Sequence, residues 1–218
     1  MILIQQYLAF LTKLKSNNNR EWFDVHRVQY KDLQTQYVDW IGGILRQLVV
    51  VDDALMFLSP KECVFRINRD VRFSNDKSPY KTNISAVFSS SGKSESNAAY
   101  YFELGSDGRL MVGGGRYMLF PQDLLRIRQL ISEDSTQLRT VLSNKQFQKT
   151  FGGLCGDQLK TRPKGFSSED PNIDLLKFKN YIVMDNLSIL NQSDEDIAAV
   201  IMQRFHIVKP FIQLLRSW

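Results

Sequence analysis

Tyr100-Tyr101-Phe102-Glu103-Leu104-Gly105-Ser106-Asp107-Gly108-Arg109-Leu110-Met111-Val112 is the stretch that decides the fold class of this chain. Two short runs rich in aromatic and branched residues flank Ser106-Asp107-Gly108, and Asp-Gly readily supplies the positive φ angles that a tight hairpin turn needs. Gly113-Gly114-Gly115 follows and is expected to end the hairpin. Cys63 to Asn68 and Ile84 to Ser89 carry the same strand signature, so an antiparallel sheet is expected to occupy the middle of the chain.

On either side of this region the apolar period changes from two to three or four. Ile4, Tyr7, Leu8, Leu11 and Leu14 predict an amphipathic helix that Ser16-Asn17-Asn18-Asn19 interrupts. Trp22 to Leu48 keeps one helical stripe and predicts the largest helix, with Gly42-Gly43 allowing a close approach or a break. Beyond Pro121, helices are expected through Leu124 to Ile131, Thr136 to Leu142 and Lys145 to Phe151. The closing helix runs from Asp194 to Leu215, with Ser193 as its cap and Asp194, Glu195 and Asp196 complementing the helix dipole. Pro210 is expected to kink or split it. Helices before and after a run of strands predict an α+β fold, an antiparallel sheet packed by helices, as a single domain over residues 1–218.

A chain of 218 residues, 43% hydrophobic and 23% charged, is long enough to bury one sizeable core and too apolar to be extensively disordered. The apolar start Met1 to Phe10 lacks a basic leading segment and a cleavage site, and reaches Lys13 and Lys15 too soon for a membrane span. Cys63 and Cys155 stand far apart without a CxxC partner, which points to a reducing compartment and a cytoplasmic address. With 28 Lys plus Arg against 23 Asp plus Glu, the net charge of +5 permits contact with polyanions but does not demand it.

The charge is concentrated in Arg66-Ile67-Asn68-Arg69-Asp70-Val71-Arg72-Phe73-Ser74-Asn75-Asp76-Lys77-Ser78-Pro79-Tyr80-Lys81, where five cations face two carboxylates. If Val64 to Phe73 is extended, Arg66, Asn68, Asp70 and Arg72 share one face. Guanidinium forks beside a carboxylate either hold it or leave a fork free for a phosphate or carboxylate ligand. The expected site is an anion pocket of Arg66, Arg69, Arg72, Lys77 and Lys81, oriented by Asp70 and Asp76, with Arg20 and Lys164 as outer members. The alternative is an internal salt-bridge network that fastens a loop to the sheet. Near Arg20, Asn18 or Asn19 is expected to cap a helix while Trp22 and Phe23 enter the core. His26 and His206 have no Ser or Cys in a triad arrangement, and no metal-ligand spacing or nucleotide-binding glycine loop is present, so no cofactor or metal is called for.

The chain resembles a widespread, mostly bacterial family of uncharacterised proteins, the domain of unknown function DUF2461. The resemblance rests on Asn17-Asn18-Asn19-Arg20-Glu21-Trp22-Phe23, on the run from Arg66 to Lys81, on Tyr100-Tyr101 with Gly113-Gly114-Gly115, and on Pro163-Lys164-Gly165-Phe166. It covers nearly the whole chain and brings no established activity with it. Glu103 departs from the histidine or other polar residue expected there, and Ser94 to Ala99 lacks the usual Pro-Gly.

Four readings follow. The first is a module that binds a phosphorylated or carboxylated small molecule. The second is an enzyme in which Asp70 or Asp76 is a general base and arginines stabilise developing negative charge. The third is a nucleic-acid-binding protein with Phe73 and Tyr80 as stacking rings. The fourth is a structural or interaction domain whose charged cluster only fixes the fold.

Overall fold

Ile4, Tyr7, Leu8, Leu11 and Leu14 line the buried face of α1 (Leu3–Ser16), as their spacing predicts. The computed structural model describes residues 3–93 and 97–218; Met1, Ile2 and residues 94–96 of the Ser94 to Ala99 stretch lie outside the described residues. The stripe from Trp22 to Leu48 is divided into α2 (Arg20–Val25) and α3 (Arg27–Val51). The break falls at His26, whose ring stacks on Trp22 at 3.8 Å and whose Nδ1 lies 2.8 Å from the Trp22 carbonyl. Breaking there lets Trp22 from α2 and Tyr30 from α3 both reach Phe10. A helical period alone cannot reveal such a change of direction.

After a 3₁₀ turn (Asp53–Leu55) and the short α4 (Pro60–Cys63), β1 (Asn83–Phe88), β2 (Ala99–Gly105) and β3 (Arg109–Arg116) form consecutive antiparallel pairs. Gly108 has φ 76° in the turn between β2 and β3, the conformation for which Asp-Gly is suited. Helices α5 (Pro121–Glu133), α6 (Thr136–Ser143), α7 (Lys145–Phe151) and α8 (Ile173–Leu176) follow, then β4 (Tyr181–Ser188) and α9 (Asp194–Arg216). The sheet order is β1-β2-β3-β4.

Three expectations about these elements are corrected. Cys63 to Asn68 is not a strand: it touches β1 through one bridge, Val64 to Ala86, and then leaves the sheet edge to pair Asn68 with Tyr80. Gly113-Gly114-Gly115 lies inside β3, paired with Met184, Val183 and Ile182 of β4. A Cβ at Gly113 would lie 1.9 Å from the Val183 carbonyl oxygen, so glycine permits the close approach of the two strands. Of the kink or split expected at Pro210, the split does not occur: α9 continues through it, with Val208, Phe211 and Ile212 buried around it.

Ile84, Ala86, Phe88, Tyr100, Phe102 and Leu104 are buried on the inner face of the sheet. Phe88 and Tyr100 meet Phe205 of α9 at 5.7 and 5.1 Å, and Phe102 meets Trp40 of α3 at 5.9 Å. One hydrophobic core thus draws on residues from Ile4 to Leu215. It is pinned at one end by an ion pair with little solvent access: Arg216 Nη1 lies 2.6 Å from Asp52 Oδ2, and the Tyr100 hydroxyl donates to the same oxygen at 2.8 Å. Removing one member of such a pair strands a buried charge. Asp52→Ala should therefore lower the unfolding free energy by about 3–5 kcal/mol in chemical denaturation.

Candidate functional site

The run from Arg66 to Lys81 is an arm that leaves the edge of β1 and returns directly into it. Its two limbs pair through Arg69 N to Pro79 O at 2.9 Å and Lys81 N to Ile67 O at 2.8 Å. Asn18 fixes its base: the side-chain amide donates to Tyr80 O at 2.9 Å and accepts from Tyr80 N at 3.1 Å, as a neighbouring strand would. Phe23 stacks on the Tyr80 ring at 4.0 Å. Asn19 caps α2 by accepting from Trp22 N, so the asparagine cluster serves both as helix start and as anchor for the arm. Tyr80 is buried by this anchoring.

At the tip, most charges have partners. The Arg69 guanidinium holds the Asp76 carboxylate, Ser78 O at 3.2 Å and Ser74 Oγ at 3.3 Å. Arg72 grips Asp70 with two donors, Nε to Oδ1 at 3.0 Å and Nη2 to Oδ2 at 2.7 Å. Lys77 Nζ donates to Val71 O at 3.0 Å. The Ser78 hydroxyl and amide, then Arg69, hold the Asp76 carboxyl down at about 2. The Arg72 hydrogen bonds hold Asp70 at about 2. A carboxylate so acidic is a weak proton acceptor near neutral pH.

The root of the arm differs. Among the described residues, none gives Arg66 an ion pair or hydrogen bond. Arg66 lines an open cleft of about 820 Å³ with Lys61 of α4, Lys93 of the β1–β2 loop, and Tyr30, Gln34 and Asp39 of α3. A second, smaller cleft of about 340 Å³ lies over the outer face of the sheet, where Lys81, Asn83, Ser85, Tyr101 and Glu103 meet Arg69 and Asp70. Phe65 lines both clefts. Lys81 Nζ stands 5.2 Å from its ring centroid and Lys93 Nζ 5.9 Å, close enough for cation–π attraction. Partial burial, and then Arg66, push the Lys81 ammonium below its usual value. The Tyr101 hydroxyl donates to Glu103 Oε2 at 3.0 Å, and burial followed by that carboxylate pushes the phenol up.

Of the residues expected in the site, Arg66 and Lys81 face the clefts without an acid bound to them. Arg69 and Asp70 line the smaller cleft while bound to Asp76 and Arg72. Arg72, Asp76 and Lys77 belong to the tip. Arg20 and Lys164 are exposed and line neither cleft. Phe65, Lys61 and Lys93 were outside the expected set, and no sequence signal marks the two lysines. Asn83, Ser85, Tyr101 and Glu103 do have one: they take the alternate positions to the buried residues of β1 and β2. His26 and His206 each set Nδ1 against the carbonyl four residues back in a helix. Among the described residues no three His, Cys, Asp or Glu side chains converge as a metal-ligand set.

A four-stranded antiparallel meander backed by long helices, with a cationic cleft at its edge, defines the class of protein. The chain belongs to the family described as conserved hypothetical protein (DUF2461), whose model matches residues 6–214. No curated protein and no solved structure matches it. The Asn17 to Phe23 and Arg66 to Lys81 motifs, distant in sequence, are two halves of one anchor.

Two consequences are measurable. Asn18→Ala leaves the Tyr80 backbone groups without partners and should cost about 1–3 kcal/mol, with faster hydrogen exchange of the arm amides. Asp70 and Asp76 have carboxyls below the usual 3.8, so their contribution is whole above that pH and is lost as the pH falls through about 2. The wild-type melting temperature should exceed that of Asp76→Asn at pH 7, and the gap should close as pH approaches 2.

Proposed function

We propose that this chain works as a single domain that binds a small anionic molecule, a phosphate ester or a carboxylate, at the root of the arm. The observation that carries the reading is Arg66, which has no acid or carbonyl partner among the described residues and borders the larger cleft. The cleft's lining holds Lys61, Arg66 and Lys93 against one acid, Asp39. A guanidinium that is not already paired offers its planar set of donors to a phosphate or carboxylate. In this reading Arg66, Lys61 and Lys93 contact the anion and Lys81 adds charge from the neighbouring cleft. Arg69, Asp70, Arg72, Asp76 and Lys77 are the frame that holds the arm.

Carboxyls held down at about 2 by their hydrogen bonds make Asp70 and Asp76 weak proton acceptors near neutral pH, which weighs against the reading in which either acts as a general base. Nucleic acid is favoured by one observation, Phe73 at the arm tip: its ring is 97% exposed and the Arg72 guanidinium stands 5.9 Å from it. Exposed rings beside arginine stack on single-stranded bases. No described helix is long and apolar enough to cross a membrane. A cytoplasmic, reducing setting is part of the proposal, supported by two unpaired cysteines, one of them exposed.

Thermal-shift and calorimetric titration against phosphate, sugar phosphates, nucleotides, dicarboxylates and short single-stranded oligonucleotides tests the reading. Arg66→Ala should weaken binding of the active anion about 10- to 100-fold, as expected for a lost charge-assisted hydrogen bond. Arg72→Ala should leave it nearly unchanged. Equal loss in both variants, or none in Arg66→Ala, overturns this assignment. Oligonucleotide binding that falls steeply with salt and requires Phe73 would select the nucleic-acid reading instead.

A further inference from the structure

The two clefts differ in chemistry, and the difference specifies more of the ligand than its charge. The larger has a cationic surplus. In the smaller, the cations Arg69 and Lys81 are balanced by Asp70 and Glu103, and the remaining polar groups are the amide of Asn83 and the hydroxyls of Ser85 and Tyr101. Arg69 is engaged with Asp76, and Arg72 covers Asp70. Glu103 is half-buried, receives one hydrogen bond, from Tyr101, and has no ion-pair partner among the described residues. Its second oxygen is left open to a donor from a ligand in the cleft. A second anionic group would meet that carboxylate and be repelled. A hydroxyl both donates and accepts, and so fits Glu103, Asn83 and Ser85 together. Phe65 lines both clefts, and its apolar ring suits the C–H face of a polyol carbon chain.

Resting on the proposed anion site, we infer that the ligand is a phosphate monoester of a sugar or polyol. Its phosphate lies with Arg66, Lys61 and Lys93, and its hydroxyls reach past Phe65 to Glu103 and Asn83. Glu103 acts here as a specificity residue: it accepts a hydroxyl proton and excludes a second anion. A site built to hydrogen-bond hydroxyls discriminates against analogues lacking them, because its own polar groups then lose those partners.

Calorimetric titration of the full chain with inorganic phosphate, glycerol, ribose and glucose phosphates, the unphosphorylated compounds and a dicarboxylate tests this inference. At least one polyol phosphate should bind tenfold or more tighter than inorganic phosphate, and the unphosphorylated compounds should not bind measurably. Glu103→Gln provides the decisive sign. If Glu103 were only a nearby negative charge, its loss would tighten every anion. If it accepts a hydroxyl, polyol phosphates weaken about tenfold while inorganic phosphate binds as well as before or better. Tyr101→Phe and Asn83→Ala, checked for folding by circular dichroism, provide the same comparison should Glu103→Gln be unstable. Polyol phosphates no tighter than inorganic phosphate, a preferred dicarboxylate, or uniform tightening in Glu103→Gln would overturn the inference and leave the anion site standing. Absence of binding by every anion would overturn both.

Discussion

The register between β1 and β2 is the constraint on which the rest of this structure depends. Ser85 faces Glu103 and Ala86 faces Phe102, so every second residue of each strand enters the core and the others point to the outer face. A shift of one residue would drive Glu103 inward and expose Phe102. A carboxylate without a partner in that core would be far more costly than a misplaced ring. The aromatic contacts with Trp40 and Phe205 hold the phase. The same alternation that builds the core thus delivers Asn83, Ser85, Tyr101 and Glu103 to the floor of the smaller cleft.

The arm illustrates how a charge-dense segment is held with little apolar burial of its own. Exposed ion pairs such as Arg72 with Asp70 contribute little individually. The position of the arm is set at its base, by Asn18 reading the Tyr80 backbone, by the Phe23 to Tyr80 stack, and by Ile67, which is buried. At the tip Arg69 and Arg72 are each paired with an acid, whereas at the root Arg66 has no partner among the described residues and Lys93 donates only to the Val64 carbonyl, at 2.8 Å, beside Phe65. One stretch of chain thus carries two arrangements: at the tip Arg69 and Arg72 are paired with Asp76 and Asp70, and at the root Arg66 and Phe65 line an open cleft.

The hairpin around Asp107-Gly108 and the helices on either side of the sheet were legible because local period and turn chemistry agree with the final packing. β4 was not. Tyr181–Ser188 contains Asp185 and Asn186, poor strand formers, and its partner β3 lies across four intervening helices. Without β4 in view, Gly113-Gly114-Gly115 reads as an exit from the sheet, whereas pairing with Val183 makes it the inside of a strand. The break at His26 was hidden for a similar reason: the apolar stripe continues on both sides while the chain changes direction.

The sequence by itself determined the α+β class, the helix cap at Ser193 and a cap at Asn18 or Asn19, the family, and the place where cationic charge is concentrated. These depend on nearest neighbours and on period, which the order of residues contains. Tertiary structure decided which cations are engaged and which are not. Arg66, Arg69 and Arg72 are alike in sequence, yet only the position of the folded arm gives Arg69 to Asp76 and Arg72 to Asp70 while directing Arg66 toward Lys61 and Lys93. Charge pairing falls off with distance through space, and residues separated along the chain become neighbours only when the arm closes on Asn18.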